Sequence, residues 1–246
     1  MAKELDNFIN NVCCADEWIA GPENHDFVLK MADILRKSYR GDELKRPDGY
    51  YKEENNVYII EHFEFDSSKP FKGSFNKVEL DRVNKDFNKV QNTQSIYHNQ
   101  LNCNYTYDFY KKRLEETYNN HYKKIDGYKE ILKNMGIIND NSVVTTIFCI
   151  EDTSALGSII YKDNMQHIIL PTRCRSFLDL FEQAPDLDIV ICRSEYRNQV
   201  SFLDKNNISY YRNEELEDNE IVLIGWKPQV AGFSINIPNN MPNTGK

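Results

Sequence analysis

The stretch at residues 47–66 constrains the fold of this chain more than any other. It reads PDGYYKEENNVYIIEHFEFD, in which a turn rich in Glu and Asn separates two aromatic and β-branched runs. This composition is typical of an antiparallel β-hairpin. We predict a short first strand that carries Asp48, a polar turn at residues 52–56 and a second strand at residues 57–65.

The second predicted strand carries carboxylates in its middle. Side chains alternate between the two faces of a strand, so Glu61 shares a face with apolar residues, whereas His62 and Glu64 lie on the other face. A carboxylate in a half-buried strand is costly to desolvate unless it is paired, hydrogen-bonded or bound to a metal. We therefore expect Glu61 to be paired, hydrogen-bonded or bound to a metal ion.

These residues resemble the PD-(D/E)XK nuclease superfamily, which includes many restriction enzymes. That family places an Asp on one strand, often in a Pro-Asp dipeptide, and Glu-x-Lys on the next strand, and here Pro47-Asp48 precedes VYIIEHFEF. The hairpin is similar to the nuclease-like segment associated with helicase IV-type DNA helicases. The resemblance covers residues 23–66 and, more loosely, an αβββαβ order through residue 150.

The resemblance implies a metal-dependent nuclease that hydrolyses phosphodiester bonds in DNA. Asp48 and Glu61 match the strand carboxylates that hold Mg²⁺ or Mn²⁺ in this family, which leaves positions for water and a phosphate oxygen. Glu23, before the hairpin, is the candidate for a further metal ligand, although the helix dipole also favours an acid in a first helical turn. Glu64 is a further candidate catalytic acid.

The lysine of the family pattern is missing from its usual place. Phe63 stands two residues after Glu61, where the family has lysine. Three alternatives remain open: a lysine from elsewhere replaces it, His62 performs part of its role, or the site is inactive. The nearest lysines in the sequence are Lys52, Lys69 and Lys72, of which Lys69 and Lys72 are the candidates for the catalytic lysine.

The net charge bears on how this chain would bind DNA. Thirty Lys and Arg residues against 38 Asp and Glu residues give a formal net charge of −8. A protein that coats DNA without specificity is usually basic, because most of its affinity comes from neutralising phosphates. The acidity therefore counts against a nonspecific binder, but it is compatible with a nuclease, whose cation site needs carboxylates.

The cysteines and the apolar runs bear on the cellular compartment. The six cysteines include no CxxC pair, so we interpret them as small buried residues in a reducing environment. The N-terminus has no signal-peptide pattern, and no apolar run is long enough for a bilayer. We expect a cytoplasmic protein without a membrane partner.

The remaining pattern predicts one α/β domain at residues 1–237 and a disordered tail at residues 238–246. We expect a central mixed β-sheet with flanking helices, a restriction-endonuclease-like αβββαβ core (residues 23–66 and 105–192), a helical insertion at about residues 76–104 and a C-terminal α/β extension. Apolar periodicity predicts helices at residues 4–20, 23–39, 105–135, 175–183 and 194–205. It predicts further strands at residues 143–150, 157–161, 167–170, 188–192, 208–211 and 220–226.

Two features of the later part bear on the site. A right-handed crossover through the long helix would place strand 143–150 parallel to the strand of Glu61, which could bring Glu151 or Asp152 near it. The tyrosines of helix 105–135 match either core packing or a stacking surface for nucleic acid, and we favour core packing. Gly127 is the expected bend in that helix.

A non-enzymatic function fits the same sequence. In this alternative the chain is a catalytically inactive nuclease-fold protein that binds nucleic acid or protein, and its hairpin acids are structural. The missing lysine and the negative net charge both favour it. An acidic regulator that mimics nucleic acid is a third interpretation, without a residue pattern of its own.

Overall fold

A computed structural model of the chain describes residues 2–21, 24–40, 46–65, 107–153, 159–160, 166–167, 170–194, 199–216 and 222–223. These residues form a six-stranded mixed sheet flanked by helices and a separate three-stranded sheet. The predicted α/β class with a central mixed sheet is therefore confirmed. The predicted insertion (76–104) and tail (238–246) lie outside the described residues.

Helices and strands alternate along most of the chain. The helices are α1 (Ala2–Cys13), α2 (His25–Lys37), α3 (Tyr107–Tyr122), α4 (Ile125–Asn134), α5 (Arg175–Glu182) and α6 (Ile208–Asn213), with a 3₁₀ turn at Pro171–Arg173. The strands are β1 (Glu17–Ile19), β2 (Gly49–Glu53), β3 (Asn56–Phe65), β4 (Val143–Asp152), β5 (Ile159–Ile160), β6 (Gln166–His167), β7 (Ile189–Ser194), β8 (Gln199–Asp204) and β9 (Val222–Leu223).

The central sheet has the strand order β1-β8-β7-β4-β3-β2. The predicted hairpin is confirmed: β2 and β3 pair antiparallel and are joined by Glu54 and Asn55. The predicted parallel neighbour of the Glu61 strand is also confirmed, because β4 pairs with β3 along its whole length. The carboxyl ends of β3, β4 and β7 therefore lie together at one edge of the sheet.

Each face of the central sheet is covered by different helices. The apolar side chains of α1 and α2 pack on one face, against a layer that includes Tyr58, Ile60, Ile147, Cys149, Ile191 and Phe202. Helices α3, α5 and α6 pack on the opposite face, against a layer that includes Phe63, Phe65, Phe148, Ile150 and Val190. This alternation follows from the period of two along β3 and β4.

The long predicted helix at residues 105–135 is two helices, and this part of the prediction is wrong. The break between α3 and α4 lies at residues 123–124, not at Gly127, which is inside α4. The tyrosines do pack into the core, because Tyr110, Tyr118 and Tyr128 are each at most 2% exposed. These three tyrosines therefore do not form an open stacking surface for nucleic acid.

Three other element predictions are wrong. Residues 17–19, assigned to the first helix, form β1, because Trp18 and its neighbours pair with β8. Residues 199–204, assigned to a helix, form β8, in which alternate side chains are buried on the two faces of the sheet. Residues 208–211, assigned to a strand, begin α6, after a turn in which Asp204 Oδ1 accepts hydrogen bonds from the backbone N–H groups of Asn206 and Asn207.

The small sheet has the order β6-β5-β9, so the predicted hairpin at residues 157–161 and 167–170 is present in its shorter form, β5 and β6. Cys149, Cys174 and Cys192 are buried, as predicted, whereas Cys14 is exposed. No helix within the described ranges has both the length and the apolar character needed to cross a bilayer.

Candidate functional site

Asp48 and Glu61 meet where the β2–β3 hairpin ends. Gly49 pairs with Ile60, so the next step of the antiparallel register sets Asp48 opposite Glu61. The backbone N–H of His62 donates a 2.8 Å hydrogen bond to Asp48 Oδ2, which fixes that carboxylate. Burial raises the pKa of Asp48, and the negative charge of Glu61 raises it further. Glu61 is therefore close enough to oppose the ionisation of Asp48.

Glu61 is held by two side chains from the helices above it. It is 4% exposed, and its Oε1 accepts a 2.6 Å hydrogen bond from the Tyr128 hydroxyl. His121 Nδ1 lies 2.6 Å from the same oxygen and donates to it in the Nδ1–H tautomer. Burial and the bond to Glu61 raise the pKa of Tyr128, so it stays a protonated donor. Neither bond uses Glu61 Oε2.

Phe63, two residues after Glu61, is fixed in place by packing. It is 4% exposed, lies beneath α3 and stacks on the His121 ring with centroids 4.3 Å apart. It also packs edge-on against Phe148 at 5.5 Å. A lysine ammonium at this position would be sealed between α3 and the sheet. The phenylalanine instead supports the histidine that binds Glu61.

A cavity of about 90 Å³ opens at the two carboxylates. Its lining is mostly charged or ionisable and consists of Glu4, Arg46, Asp48, Glu61, His62, His121 and Lys124. Lys124 is brought here by the break between α3 and α4, immediately before the first residue of α4. The cavity therefore combines two hairpin carboxylates with a lysine and an arginine.

The predicted site residues fall into separate groups. Asp48 and Glu61 come together as expected, but Glu64 is exposed on the opposite face of β3 and lines another cavity. Lys52 lies at the far end of the hairpin, where its Nζ donates to the Ile137 carbonyl oxygen at 2.7 Å. Lys52 therefore does not lie beside Asp48 and Glu61, as one of the open alternatives required. The other three predicted residues, Glu23, Lys69 and Lys72, lie outside the described residues.

Several residues of the Asp48–Glu61 site were not singled out from the sequence. They are Glu4, Arg46, His121 and Lys124, which line the cavity, and Tyr128, which binds Glu61. His121 lies in the last turn of α3 and Tyr128 in α4, so they are on opposite sides of the helix break and no single helical spacing in the sequence relates them.

The second cavity, of about 390 Å³, lies on the α1 side of the sheet at the carboxyl ends of β3, β4 and β7. Its lining is Glu4, Asn7, Asn11, Glu64, Glu151, Thr153 and Arg193. Glu4 therefore lines both cavities. Glu151, which was expected near Glu61, therefore lines this second cavity and not the cavity of Asp48 and Glu61. Asp152 points to the other face, where it accepts a 2.9 Å hydrogen bond from the Tyr110 hydroxyl.

Buried ionisable groups connect the linings of the two cavities. Arg193 Nη1 donates to Glu151 Oε1, and His62 Nε2 lies 3.5 Å from Glu151 Oε2. Burial opposes the ionisation of Glu151, but His62 and Arg193 outweigh it and lower its pKa. The side chain of Arg193 is 9% exposed. Its Nε has no hydrogen-bond partner in the described part of the chain.

No family model, curated protein or solved structure matches this chain. The chemistry of the site must therefore be argued from its own geometry. Within the ranges described above, no three or more His, Cys, Asp or Glu side chains are grouped to hold a metal ion. A closed, all-protein metal cage is accordingly not formed by these residues.

Two carboxylates are nevertheless a suitable set for one class of cation. Mg²⁺ is bound in many enzymes by one or two carboxylates, several waters and the phosphates of the substrate. Oxygen ligands suit Mg²⁺ and Mn²⁺ better than they suit softer metals. Among the described hydrogen bonds, none ends on Asp48 Oδ1 or on Glu61 Oε2. These two oxygens would hold the ion.

Proposed function

We propose that this protein is a metal-dependent nuclease that hydrolyses phosphodiester bonds in DNA, with a restriction-endonuclease-like core. The observation that supports this most is the convergence of Asp48 and Glu61 with Lys124 in one cavity. A parallel crossover from β3 to β4 through α3 and α4 agrees with such a core. Between α2 and α3, the described residues supply two strands, β2 and β3.

Each residue of the cavity has a role in this proposal. Asp48 and Glu61 would hold Mg²⁺ or Mn²⁺, which supplies charge stabilisation at the phosphate and an activated water. His121 and Tyr128 orient Glu61 through Oε1 and leave its other oxygen for the ion. The raised pKa of Asp48 gives the site an electrostatic reason to take up a cation.

Lys124 is the proposed replacement for the family's lysine. Lys124 lines the same cavity as both carboxylates, whereas Lys52, the described lysine nearest to Glu61 in the sequence, does not. An ammonium at this position contacts a phosphate oxygen and stabilises the charge that develops during in-line displacement. Arg46 supplies a second cation at the same cavity and binds the adjoining backbone phosphate.

One observation favours the non-enzymatic alternative. Glu61 already accepts two short hydrogen bonds, so its buried charge is stabilised without a metal ion. On this view the hairpin acids hold α3 and α4 on the sheet, and the protein binds nucleic acid or another protein without cutting. The two functions differ in what a metal ion does to the protein.

The test combines melting temperature with cleavage. We expect millimolar Mg²⁺ or Mn²⁺ to raise the melting temperature of the wild type, and to support cutting of plasmid or single-stranded DNA that chelator abolishes. Asp48→Asn and Glu61→Gln should each lose both effects while keeping a hydrogen-bond acceptor at the same position. Glu54→Gln, in the turn of the same hairpin, is the matched control and should behave as the wild type.

Two outcomes would separate the candidates. Binding of DNA without metal-dependent cutting, together with no metal effect on the melting temperature, supports the binding module and overturns the nuclease. Metal-dependent cutting that survives in Asp48→Asn and Glu61→Gln shows that the hydrolysis occurs elsewhere in the chain.

A further inference from the structure

The larger cavity lies between α1 and a row of charged side chains on the sheet. Glu64, Glu151 and Arg193 form this row across β3, β4 and β7, because Glu64 pairs with Glu151 and Glu151 pairs with Arg193. Asn7 and Asn11 are four residues apart on α1, a spacing that places both on one side of the helix. These five side chains line a cavity of about 390 Å³, which is within the size range of small-molecule sites.

The five side chains share one chemical feature. Each ends in a planar carboxylate, amide or guanidinium group that sets two polar atoms side by side. A hydroxyl group both donates and accepts, so two neighbouring hydroxyl groups of a ligand can bind such a pair of atoms at once. A ligand with vicinal hydroxyl groups can therefore form hydrogen bonds with all three kinds of group.

The charges of the row on the sheet favour a neutral ligand. Arg193 Nη1 donates to Glu151 Oε1, and Glu64 adds a further carboxylate to the same row. An anion would therefore find no unbalanced positive charge among the described lining residues. A cation would be repelled by Arg193 and would offer it no acceptor.

Arg193 forms a buried wall of this cavity and has an unused donor. Its side chain is 9% exposed, and its Nε–H has no partner among the described residues. A buried donor without a partner costs free energy, and an oxygen atom of a ligand would supply that partner. The ligand is therefore expected to present acceptors to this wall of the cavity.

The lining gives little support to a flat or apolar ligand. Among the described residues, it contains no aromatic side chain and none that lacks a polar group. A nucleobase gains much of its binding from stacking on aromatic rings, and most drug-sized ligands need apolar walls. A ligand that is polar over its whole surface has neither requirement.

We propose that the larger cavity binds a small neutral polyol, a monosaccharide or a sugar alcohol, through its vicinal hydroxyl groups. The Glu64 carboxylate accepts hydrogen bonds from these groups, Arg193 donates to them, and the two asparagine amides do both. The inference does not depend on a metal ion or a phosphate in the smaller cavity, so its test is separate from that of the nuclease proposal.

Isothermal titration calorimetry of the whole chain, in chelator, tests this site with glucose, ribose and sorbitol. We expect at least one of the three to bind saturably at a single site, with a dissociation constant in the millimolar range or below. Asn11→Ala and Glu64→Ala should each weaken that binding by about fivefold or more, the effect of losing one net hydrogen bond. Both side chains are at least partly exposed, so both variants should keep the fold, which circular dichroism checks.

The adjacent asparagine offers a matched control. Asn10 precedes Asn11 on α1, is exposed and does not line the cavity. Asn10→Ala should keep the wild-type affinity. No saturable binding of any of the three polyols, binding that survives both Asn11→Ala and Glu64→Ala, or a site that takes glycine or inorganic phosphate in place of a polyol would each overturn the proposal.

Discussion

Removal of one hydroxyl group from Tyr128 tests the support of Glu61 most directly. Tyr128 is 1% exposed, and its hydroxyl donates a 2.6 Å hydrogen bond to a carboxylate that is itself 4% exposed. Tyr128→Phe keeps the ring in the core and deletes only this donor. The carboxylate then keeps His121 as its remaining described partner.

The expected cost follows from the type of hydrogen bond. Bonds to a charged group contribute about 1.5–3 kcal/mol, so Tyr128→Phe should lower the free energy of unfolding by about 2 kcal/mol. For a chain of this size, about 2 kcal/mol corresponds to a fall in melting temperature of about 4–8 °C. Urea unfolding followed by circular dichroism at neutral pH, in chelator, measures the free energy.

Tyr118→Phe is the matched control for this measurement. Tyr118 is 2% exposed, and its hydroxyl makes a 3.4 Å contact with the carbonyl oxygen of Leu180, a neutral and distant acceptor. We expect this variant to lose about 0.5 kcal/mol. An equal loss in the two variants, or a loss in Tyr128→Phe too small to measure, would refute the argument that Glu61 is a buried charge held by Tyr128.

Three further predictions concern the charged groups of the two cavities. Asp48→Asn should stabilise the metal-free protein at pH 7, because the pKa of Asp48 is raised in the folded state. The gain in the free energy of unfolding should vanish below the ordinary pKa of 3.8, and urea unfolding at a series of pH values measures it. Glu151→Gln should lower the free energy of unfolding by about 3 kcal/mol at neutral pH by leaving Arg193 unneutralised. Because the pKa of Glu151 is lowered on folding, this difference should shrink as the pH falls below 4.5, and a pH-independent loss would contradict it. Lys124→Met should reduce metal-dependent cutting at least tenfold while the metal-induced rise in melting temperature persists, whereas unchanged cutting would exclude Lys124 from the reaction.

The sequence predicts the hairpin well, because its signal is local. Alternation along residues 57–65 places Glu61 and His62 on opposite faces, and the structure has them so. The tyrosine stripe predicts core packing for the same reason, because helical periodicity can be recognised within a short stretch of sequence. The break at residues 123–124 has no such local signal, and Gly127 is accommodated inside α4.

Short apolar runs explain the wrong assignments in the later part of the chain. Strand β8 is buried on both faces, so its sequence QVSFLD lacks a polar face and cannot be told from a buried helical segment by periodicity. Its neighbours β7 and β1 decide its structure. Lys124 was not predicted for the site because it is 63 positions from Glu61 in the sequence. Only the path of α3 brings the two residues to the same cavity, and no sequence spacing predicts that path.

His62 contacts residues of both cavities. Its backbone N–H binds Asp48, and its ring, packed on Phe8, lies beside Glu151. A shift of this one residue would change the geometry on both sides of the sheet at once. Thermodynamic coupling then requires reciprocity: if a ligand in the larger cavity tightens metal binding by some factor, the metal must tighten binding of that ligand by the same factor. Under the nuclease proposal, a cation at Asp48 and Glu61 would then be bound most tightly when the larger cavity is already occupied.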